Sequence, residues 1–172
     1  MASVLVAYAT KYGSTREVAE AIASALIERG VDATARPAGE VRGLEGYSSV
    51  VLGTALYFFR WRGEAHRFLS RNRSAVESLP VAVFGLGPIE DTPEQFEAAR
   101  KHLDKGLSKH KWLSPASIAV FGGRLDPTHL RFPDNNPAFR RMAPSDTRDW
   151  DAVRSWAYGL IDALGVRPDG DS

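Results

Sequence analysis

The sequence contains no cysteine. This absence excludes disulfide bonds, thiolate nucleophiles, zinc ribbons and iron–sulfur clusters held by cysteine. The sequence also has no apolar run close to the roughly 18 residues that a membrane helix needs. Its start, from Met1 to Tyr8, has no basic stretch before the apolar residues, so we interpret it as a first strand and not as a signal peptide. We therefore expect a cytoplasmic protein.

A strong charge of either sign is missing as well. The net charge is +1 and the isoelectric point is about 8.1, so the chain as a whole builds no strong electrostatic field. Arginine is nevertheless clustered, at Arg60, Arg62, Arg67, Arg71 and Arg73 and again at Arg140 and Arg141. Such clusters are consistent with solvated helix faces or with a surface for an anionic partner or a membrane.

Short apolar runs alternate with longer amphipathic ones, which is typical of a parallel sheet covered by helices. The predicted strands are 4–9, 31–36, 47–53, 81–85 and 116–121, and the predicted long helices are 14–29, 63–76, 92–110 and 149–164. This pattern predicts an α/β fold with a doubly wound, five-stranded parallel sheet and helices on both faces. The 172 residues suit one domain, 1–166, followed by a flexible tail, 167–172.

Helical periodicity also predicts which faces of the first and last helices are buried. The predicted buried positions are Val18, Ala19, Ile22, Leu26 and Ile27 in the first helix and Trp150, Val153, Trp156, Ala157, Leu160 and Ile161 in the last. Residues 122–148 have no such periodicity, so we expect an irregular connection that is functional or mobile. Its apolar residues, Leu125, Leu130, Phe132, Phe139 and Met142, could form the rim of a substrate site.

The turn between the first strand and the first helix has the composition of a phosphate-binding loop. It contains Thr10, Lys11, Tyr12, Gly13, Ser14 and Thr15. In doubly wound sheets, ligands bind at the carboxyl ends of strands, and a helix N-terminus presents free N–H groups to an anion. Alternatively, Ser14 only caps the helix and Gly13 only permits the turn. The loop is neither a Walker loop nor a dinucleotide fingerprint.

The Thr-x-x-Gly-Ser-Thr pattern resembles the FMN phosphate loop of flavodoxins. Three further blocks make the chain similar to the menaquinone-dependent protoporphyrinogen oxidase branch of that superfamily. They are 51–57 followed by Phe68-Leu69, then 120–125, and then 146–150 leading into Val153 and Ala157. The resemblance spans residues 3 to about 164 and implies a flavodoxin-like fold with FMN as the cofactor.

The resemblance also implies which loops enclose the flavin ring. These are Thr54-Ala55-Leu56-Tyr57 after the third strand, Gly85-Leu86-Gly87-Pro88 after the fourth, and Gly122-Gly123 after the fifth. Tyr57, Phe58 or Trp61 could stack on the ring, although Phe58 and Phe59 could instead pack on the following helix. Gly85 and Gly87 could equally be plain turn glycines.

Beyond the flavin, the sequence offers few candidates for catalysis. Arg124 is a possible contact for a substrate carboxylate or a quinone oxygen. The histidines, at positions 66, 102, 110 and 129, are scattered and predict no metal site. If the protein is an enzyme, the flavin performs the chemistry and the chain orients the substrate.

Two functional classes are compatible with these features. The first is an FMN-dependent oxidoreductase that transfers electrons between a small molecule, porphyrinogen or other, and a quinone-like acceptor. The second is a flavodoxin-type electron carrier, but carriers of this fold are strongly acidic and this chain is not. A module that has lost the flavin is a third possibility, disfavoured by the intact phosphate loop. Redox proteins and a second copy of the chain remain open as partners, and nucleic acid is not expected.

One departure from the resemblance bears on the substrate. The oxidase branch carries a long, basic and apolar insertion after the fifth strand. The corresponding residues, 133–145, are shorter and more polar here. This difference argues against porphyrinogen as the substrate and against membrane association.

Overall fold

The computed structural model describes residues 3–57, 60–132 and 134–170, with Tyr57 described by its backbone alone. Its main sheet contains five parallel strands and a short antiparallel addition. The strands are β1 (Ser3–Ala9), β2 (Asp32–Pro37), β3 (Ser49–Tyr57), β4 (Arg60–Trp61), β5 (Val81–Leu86) and β6 (Ser117–Phe121). Their order is β2-β1-β3-β5-β6, and β4 pairs with β3. The predicted doubly wound α/β fold is confirmed.

Helices cover both faces of this sheet. They are α1 (Ser14–Glu28), α2 (Gly63–Arg71), α3 (Arg73–Glu77), α4 (Pro93–Leu107), α5 (Pro137–Arg140) and α6 (Trp150–Ala163). Alternate residues of the central strands point to opposite faces. Val4 and Val6 of β1 join the core under α1 and α6, whereas Leu5 and Ala7 join the core under α2 and α4. In the described part of the chain, no helix is long and apolar enough to cross a membrane.

The predicted second helix, 63–76, is wrong as one element. It is broken at Asn72, whose backbone has φ −105° and ψ 18°. The side-chain amide and the backbone N–H of Asn72 both donate to the carbonyl of Phe68, at 3.0 and 3.1 Å. Asparagine competes for backbone hydrogen bonds in this way, so it ends α2 before α3 begins.

The third strand extends further than predicted, and this extension matters for the site. Residues 54–57 were expected to form a loop but belong to β3. Thr54 and Ala55 pair with Gly85 and Leu86 of β5, while Leu56 pairs with Trp61 of β4. Pairing on both sides holds the strand in the extended conformation beyond the point where its apolar pattern ends.

Two residues of the predicted buried faces are exposed. Ile27 of α1 is 56% exposed and Trp150 of α6 is 40% exposed. Trp150 is the first residue of its helix, where the Arg148 guanidinium lies 4.8 Å from the ring centroid. Helical periodicity does not show where a helix stops packing against the rest of the protein. The predicted burial of these two residues, which lie near helix ends, was therefore wrong.

The segment after β6 contains more regular structure than predicted. It includes β7 (Arg124–Leu125), a 3₁₀ turn (Pro127–His129), α5, and β8 (Ser145–Asp146), which pairs antiparallel with β7. Asp126 and Asn136 cap the 3₁₀ turn and α5 with their side chains. Elements this short are held by side-chain caps and strand pairing. They contain too few residues to show the periodicity by which longer elements are recognised in a sequence.

Candidate functional site

The loop from Thr10 to Thr15 joins the carboxyl end of β1 to the N-terminus of α1. Gly13 has a left-handed backbone, with φ +91°, and its N–H donates to Oγ1 of Thr10 at 3.0 Å. Glycine suits this position because other residues rarely adopt a positive φ. A Cβ atom at Gly13 would meet no atom within 4 Å, so the space above it is open.

The N-terminus of α1 has the features of an anion site. Gly13 is the N-cap residue and no side chain caps the helix, so the alternative that Ser14 serves as the cap does not hold. Oγ1 of Thr15 is buried and has no hydrogen-bond partner. Buried hydroxyls are normally paired, and a phosphate in front of the helix would provide the acceptor for Thr15 and for the first N–H groups.

Lys11 and Tyr12 direct their side chains to a different group. The Lys11 ammonium forms an ion pair with the carboxylate of Asp134, and the Tyr12 hydroxyl donates to the same carboxylate. Asp134 lies far along the chain, and its side chain is 1% exposed. The phosphate loop is therefore attached to the segment that follows β7.

A cavity of about 510 Å³ opens beside the loop. The residues that line it come from the phosphate loop, β3, β5 and the loop after it, α4, and the segment from Gly123 to α5. They are Lys11, Tyr12, Ser14, Ala55, Leu56, Leu86, Gly87, Pro88, Ile89, Gln95, Ala98, Ala99, His102, Gly123, Arg124, Leu125, Asp126, His129, Leu130 and Phe139. Most of these side chains are apolar or small, as expected for a site that holds a flat organic ring.

The cavity unites nine of the predicted site residues. Lys11, Tyr12, Ser14, Ala55, Leu56, Leu86, Gly87, Gly123 and Arg124 line it. Thr10, Gly13 and Thr15 belong to the adjoining phosphate loop. The side chain of Tyr57 and the whole of Phe58 and Phe59 lie outside the described residues, so their predicted stacking or packing stays a prediction.

Three predicted site residues are placed in the packing around the cavity. The Thr54 hydroxyl donates to the Ala55 carbonyl and accepts from the Arg62 N–H, both at 3.1 Å. A Cβ atom at Gly85 would lie 3.1 Å from the Leu56 side chain, and one at Gly122 would lie 2.1 Å from the Thr147 carbonyl oxygen. These close approaches give both glycines a packing reason for the absence of a side chain.

The prediction that Trp61 could stack on a flavin is wrong. Trp61 is 6% exposed, and its indole N–H donates to the Leu103 carbonyl of α4 at 3.2 Å. A Cβ atom at Gly106 would lie 2.0 Å from the indole nitrogen, so the ring lies directly against α4. The antiparallel pairing of β4 with β3 turns Trp61 toward this helix and away from the cavity.

One wall of the cavity was not anticipated from the sequence. Gln95, Ala98, Ala99 and His102 lie on one face of α4 at helical spacing. The Gln95 side chain also accepts from the N–H groups of Ile89 and Glu90, at 3.2 Å each, which fixes the loop after β5. The helical spacing of these residues can be seen in the sequence. However, polar residues such as Gln95 and His102 on a helix usually face solvent, so the spacing did not indicate a cavity wall.

Only three of the five apolar residues expected at a substrate rim lie at the cavity, and their contact with a substrate stays a prediction. Leu125, Leu130 and Phe139 line the cavity. Phe132 is 87% exposed and does not, and Met142 is not among the lining residues either. The 3₁₀ turn and α5 bring the first three together, whereas Phe132 lies between them on the outer surface.

An arginine cluster fixes the edge of the cavity beside α1. Arg148 binds both oxygens of Asp146, at 2.9 and 2.7 Å, and reaches Glu17 at 2.8 Å. These bonds raise the pKa of Arg148 and lower the pKa of Asp146. Arg124, the predicted substrate contact, lines the cavity, with its guanidinium 3.8 Å from Glu17. Glu17 therefore balances two cations next to the phosphate loop.

Two of the histidines, one in α2 and one in the turn after α4, meet beside Trp61. Nδ1 of His66 and Nε2 of His110 are 2.8 Å apart, and the His66 ring stacks on Trp61 with centroids 5.0 Å apart. Burial lowers the pKa of both imidazoles, and the charge of Lys109 lowers it further. The prediction that all four histidines are scattered is wrong for this pair, because the fold joins positions 44 residues apart.

Comparison with known proteins finds similar proteins over nearly the whole chain. The chain is 26% identical to the protoporphyrinogen IX dehydrogenase (quinone) of Escherichia coli strain K12, over 89% of this chain and 91% of that protein. A mutant flavodoxin from Pseudomonas aeruginosa superposes with a TM-score of 0.60 at 13% identity, covering 95% of this chain and 99% of the other. An archaeal flavodoxin gives a TM-score of 0.58 at 12% identity, over 95% and 99%.

The family model of the flavodoxin domain matches residues 5–137. This range includes the phosphate loop, the five parallel strands of the main sheet except for the first two residues of β1, and most of the cavity lining. Flavodoxin domains bind FMN, and the chain belongs to the flavodoxin domain family.

Proposed function

We propose that the protein is an FMN-dependent oxidoreductase that transfers electrons between a small apolar molecule and a quinone-like acceptor. The observation that carries this proposal is the cavity of about 510 Å³. It extends from the phosphate loop past β3 and β5 to a second wall made by α4 and the segment after β7. A site with a wall beyond the flavin-binding strands suits an enzyme that holds its own substrate.

The residues around the cavity fit FMN. The N-terminus of α1 and the unpaired hydroxyl of Thr15 would receive the phosphate, with Thr10 and Gly13 shaping the loop. Ala55, Leu56, Leu86 and Gly87 would hold the ring, by small or apolar side chains and by backbone groups at the strand ends. FMN, when bound, supplies the electron-transfer chemistry, and the chain supplies binding, orientation and exclusion of water.

The second wall determines what else the cavity accepts. Leu125, Leu130 and Phe139 offer apolar surface, while His102 and Arg124 offer polar contacts. This combination suits a flat molecule with one or two oxygens, as the quinone in the name of the E. coli relative has. Arg124 lines the cavity, and we propose it as the contact for such an oxygen.

The alternative is an electron carrier that docks on redox proteins. A carrier needs a charged face to steer its partners, and the net charge of +1 does not provide one. Redox partners, a homo-oligomer and a cytoplasmic location stay predictions. Porphyrinogen is not proposed as the substrate, because the sequence of residues 133–145 is shorter and more polar than the corresponding insertion of the oxidase branch.

The test is the absorption spectrum of the purified protein, followed by steady-state reduction of a short-chain quinone. We expect flavin absorption bands, FMN released by heat, and quinone reduction that saturates with quinone concentration. A Leu130→Glu variant should retain FMN but raise KM for the quinone severalfold, because it places a charge on the apolar wall. Flavin binding with no saturable quinone or small-molecule turnover would favour the carrier.

A further inference from the structure

Asp134 is a buried carboxylate that the proposed reaction does not use. Its side chain is 1% exposed and contacts the Lys11 ammonium and the Tyr12 hydroxyl. The Tyr12 oxygen also accepts from the N–H of Arg131 at 3.4 Å. Asp134 also forms a local backbone hydrogen bond, in which its N–H donates to the Arg131 carbonyl at 2.7 Å. Two phosphate-loop side chains thus bind one short stretch of the distant segment.

That segment forms part of the cavity wall. We call the described residues 126–132 and 134–142 the rim segment; Asp126, His129, Leu130 and Phe139 within it line the cavity. The short elements inside it are held by local caps, such as Asn136 at the start of α5. These caps act within the segment, whereas the bonds from Lys11 and Tyr12 to Asp134 join the segment to the phosphate loop.

The bonds to Asp134 and the proposed phosphate contacts use different groups of the same loop. Asp134 engages the side chains of Lys11 and Tyr12, whereas Oγ1 of Thr15 has no partner. A carboxylate that already neutralises Lys11 leaves the helix N-terminus and Thr15 for the phosphate. Both sets of contacts can therefore exist at once.

We propose that Asp134 is a positioning residue that fastens the rim segment to the phosphate loop and so sets the substrate wall of the cavity. The Lys11 ammonium acts as the counter-ion of Asp134 and not as the main ligand of the phosphate. This role of Asp134 rests on the proposed function in one respect, because the wall that Asp134 positions is the proposed substrate wall. Loss of the fastening opens the rim segment and leaves FMN in place.

Limited digestion with trypsin tests the fastening directly. Arg131, Arg140 and Arg141 of the rim segment are exposed cleavage sites. We expect Asp134→Asn to be cut at these sites about tenfold faster than the wild type, which corresponds to about 1.4 kcal/mol in the opening equilibrium. Lys11→Met should give a similar increase. The double variant should add little to either single change, because both remove the same interaction.

Asp104→Asn is the matched control. It removes an exposed carboxylate that pairs with Arg100 on α4 at 3.0 Å, away from the rim segment, and should leave the cleavage rate unchanged. In FMN-loaded Asp134→Asn we expect the Kd for FMN to stay within about threefold of the wild type, while KM for the quinone rises and kcat is retained. That split separates wall positioning from cofactor binding.

Two results would overturn the inference. One is unchanged cleavage of the rim segment in both Asp134→Asn and Lys11→Met. The other is a tenfold or larger loss of FMN affinity in Asp134→Asn, which would make the carboxylate part of the cofactor site. The digestion is also run on flavin-free protein, so failure of the wild type to bind FMN would count against the proposed function and not against the fastening.

Discussion

The Arg148 guanidinium binds the Asp146 carboxylate through two parallel hydrogen bonds, from Nε to Oδ1 at 2.9 Å and from Nη2 to Oδ2 at 2.7 Å. Its remaining nitrogen donates to Glu17 at 2.8 Å. Such a paired geometry is the strong form of an Arg–carboxylate contact. The Arg148 side chain is only 4% exposed. It therefore joins β8 to the first turn of α1, next to the phosphate loop.

Arg148→Met should lower the free energy of unfolding by about 1–2 kcal/mol. This loss is smaller than for a fully buried ion pair, because the carboxylates of Glu17 and Asp146 are partly exposed. Urea unfolding measures the change. Arg100→Met is the control, because Arg100 and its partner Asp104 are both about half exposed. The control should change stability by less than about 0.5 kcal/mol. Equal effects of the two substitutions would contradict a structural role for the Arg148 cluster.

Gly122→Ala should destabilise the fold by about 1–3 kcal/mol, because its Cβ atom would overlap packed backbone. The new atom would lie 2.1 Å from the Thr147 carbonyl oxygen. Gly159→Ala on α6 is the matched control, since its Cβ atom would meet nothing within 4 Å. Alanine in an exposed helix interior should stabilise by about 0.5–1 kcal/mol. Thermal unfolding of both variants checks the opposite signs.

The His66–His110 pair should make stability depend on pH. Burial lowers the pKa of both groups in the folded state, so the unfolded state binds more protons near the ordinary histidine pKa of about 6.5. The stabilising contribution is therefore present above that pH and is lost as the pH falls through the lowered values. The free energy of unfolding, measured with urea at several pH values from about 7.5 down to about 5, should show this loss.

His66→Phe is the variant that isolates this effect. Phenylalanine keeps a ring beside Trp61 but removes one titrating group and the contact with His110 at 2.8 Å. Its stability should fall less steeply with decreasing pH than that of the wild type. A steeper fall in the variant, or an identical slope, would show that the pair does not contribute.

Gly13→Val tests the phosphate loop. Gly13 has φ +91°, which a β-branched residue adopts only at a cost of about 1–3 kcal/mol. We expect the variant to fold, by circular dichroism, and to release FMN, because the loop must change its backbone to accept valine. Full FMN occupancy in a folded Gly13→Val protein would mean that the phosphate binds elsewhere.

The sequence was sufficient to predict the parallel sheet and the turn between β1 and α1, because their signals are local. The run from Val4 to Ala9 is apolar throughout, and Thr10–Thr15 follows it directly. Thr92 and Pro93 correctly marked the start of α4, where the Thr92 hydroxyl accepts from the Gln95 N–H. Such features depend on neighbours within a few residues, so the fold does not alter them.

The parts of the structure that were not predicted depend on contacts between residues that are distant in the sequence. Trp61 contacts α4 because β4 pairs with β3, and His66 meets His110 across 44 positions. The attachment of Lys11 to Asp134 spans 123 positions. No local pattern reports such contacts, which is why the second wall of the cavity and the rim segment were only partly anticipated.

The most direct test of the FMN site compares FMN with riboflavin, which lacks the phosphate, in the wild type and in Thr15→Val. Isothermal titration of flavin-free protein gives both affinities. The wild type should bind FMN far more tightly than riboflavin. Thr15→Val should weaken FMN about tenfold or more and leave riboflavin unchanged, since the lost hydroxyl is a buried partner of a charged group. Equal affinity of the wild type for FMN and riboflavin would contradict a phosphate site at the N-terminus of α1.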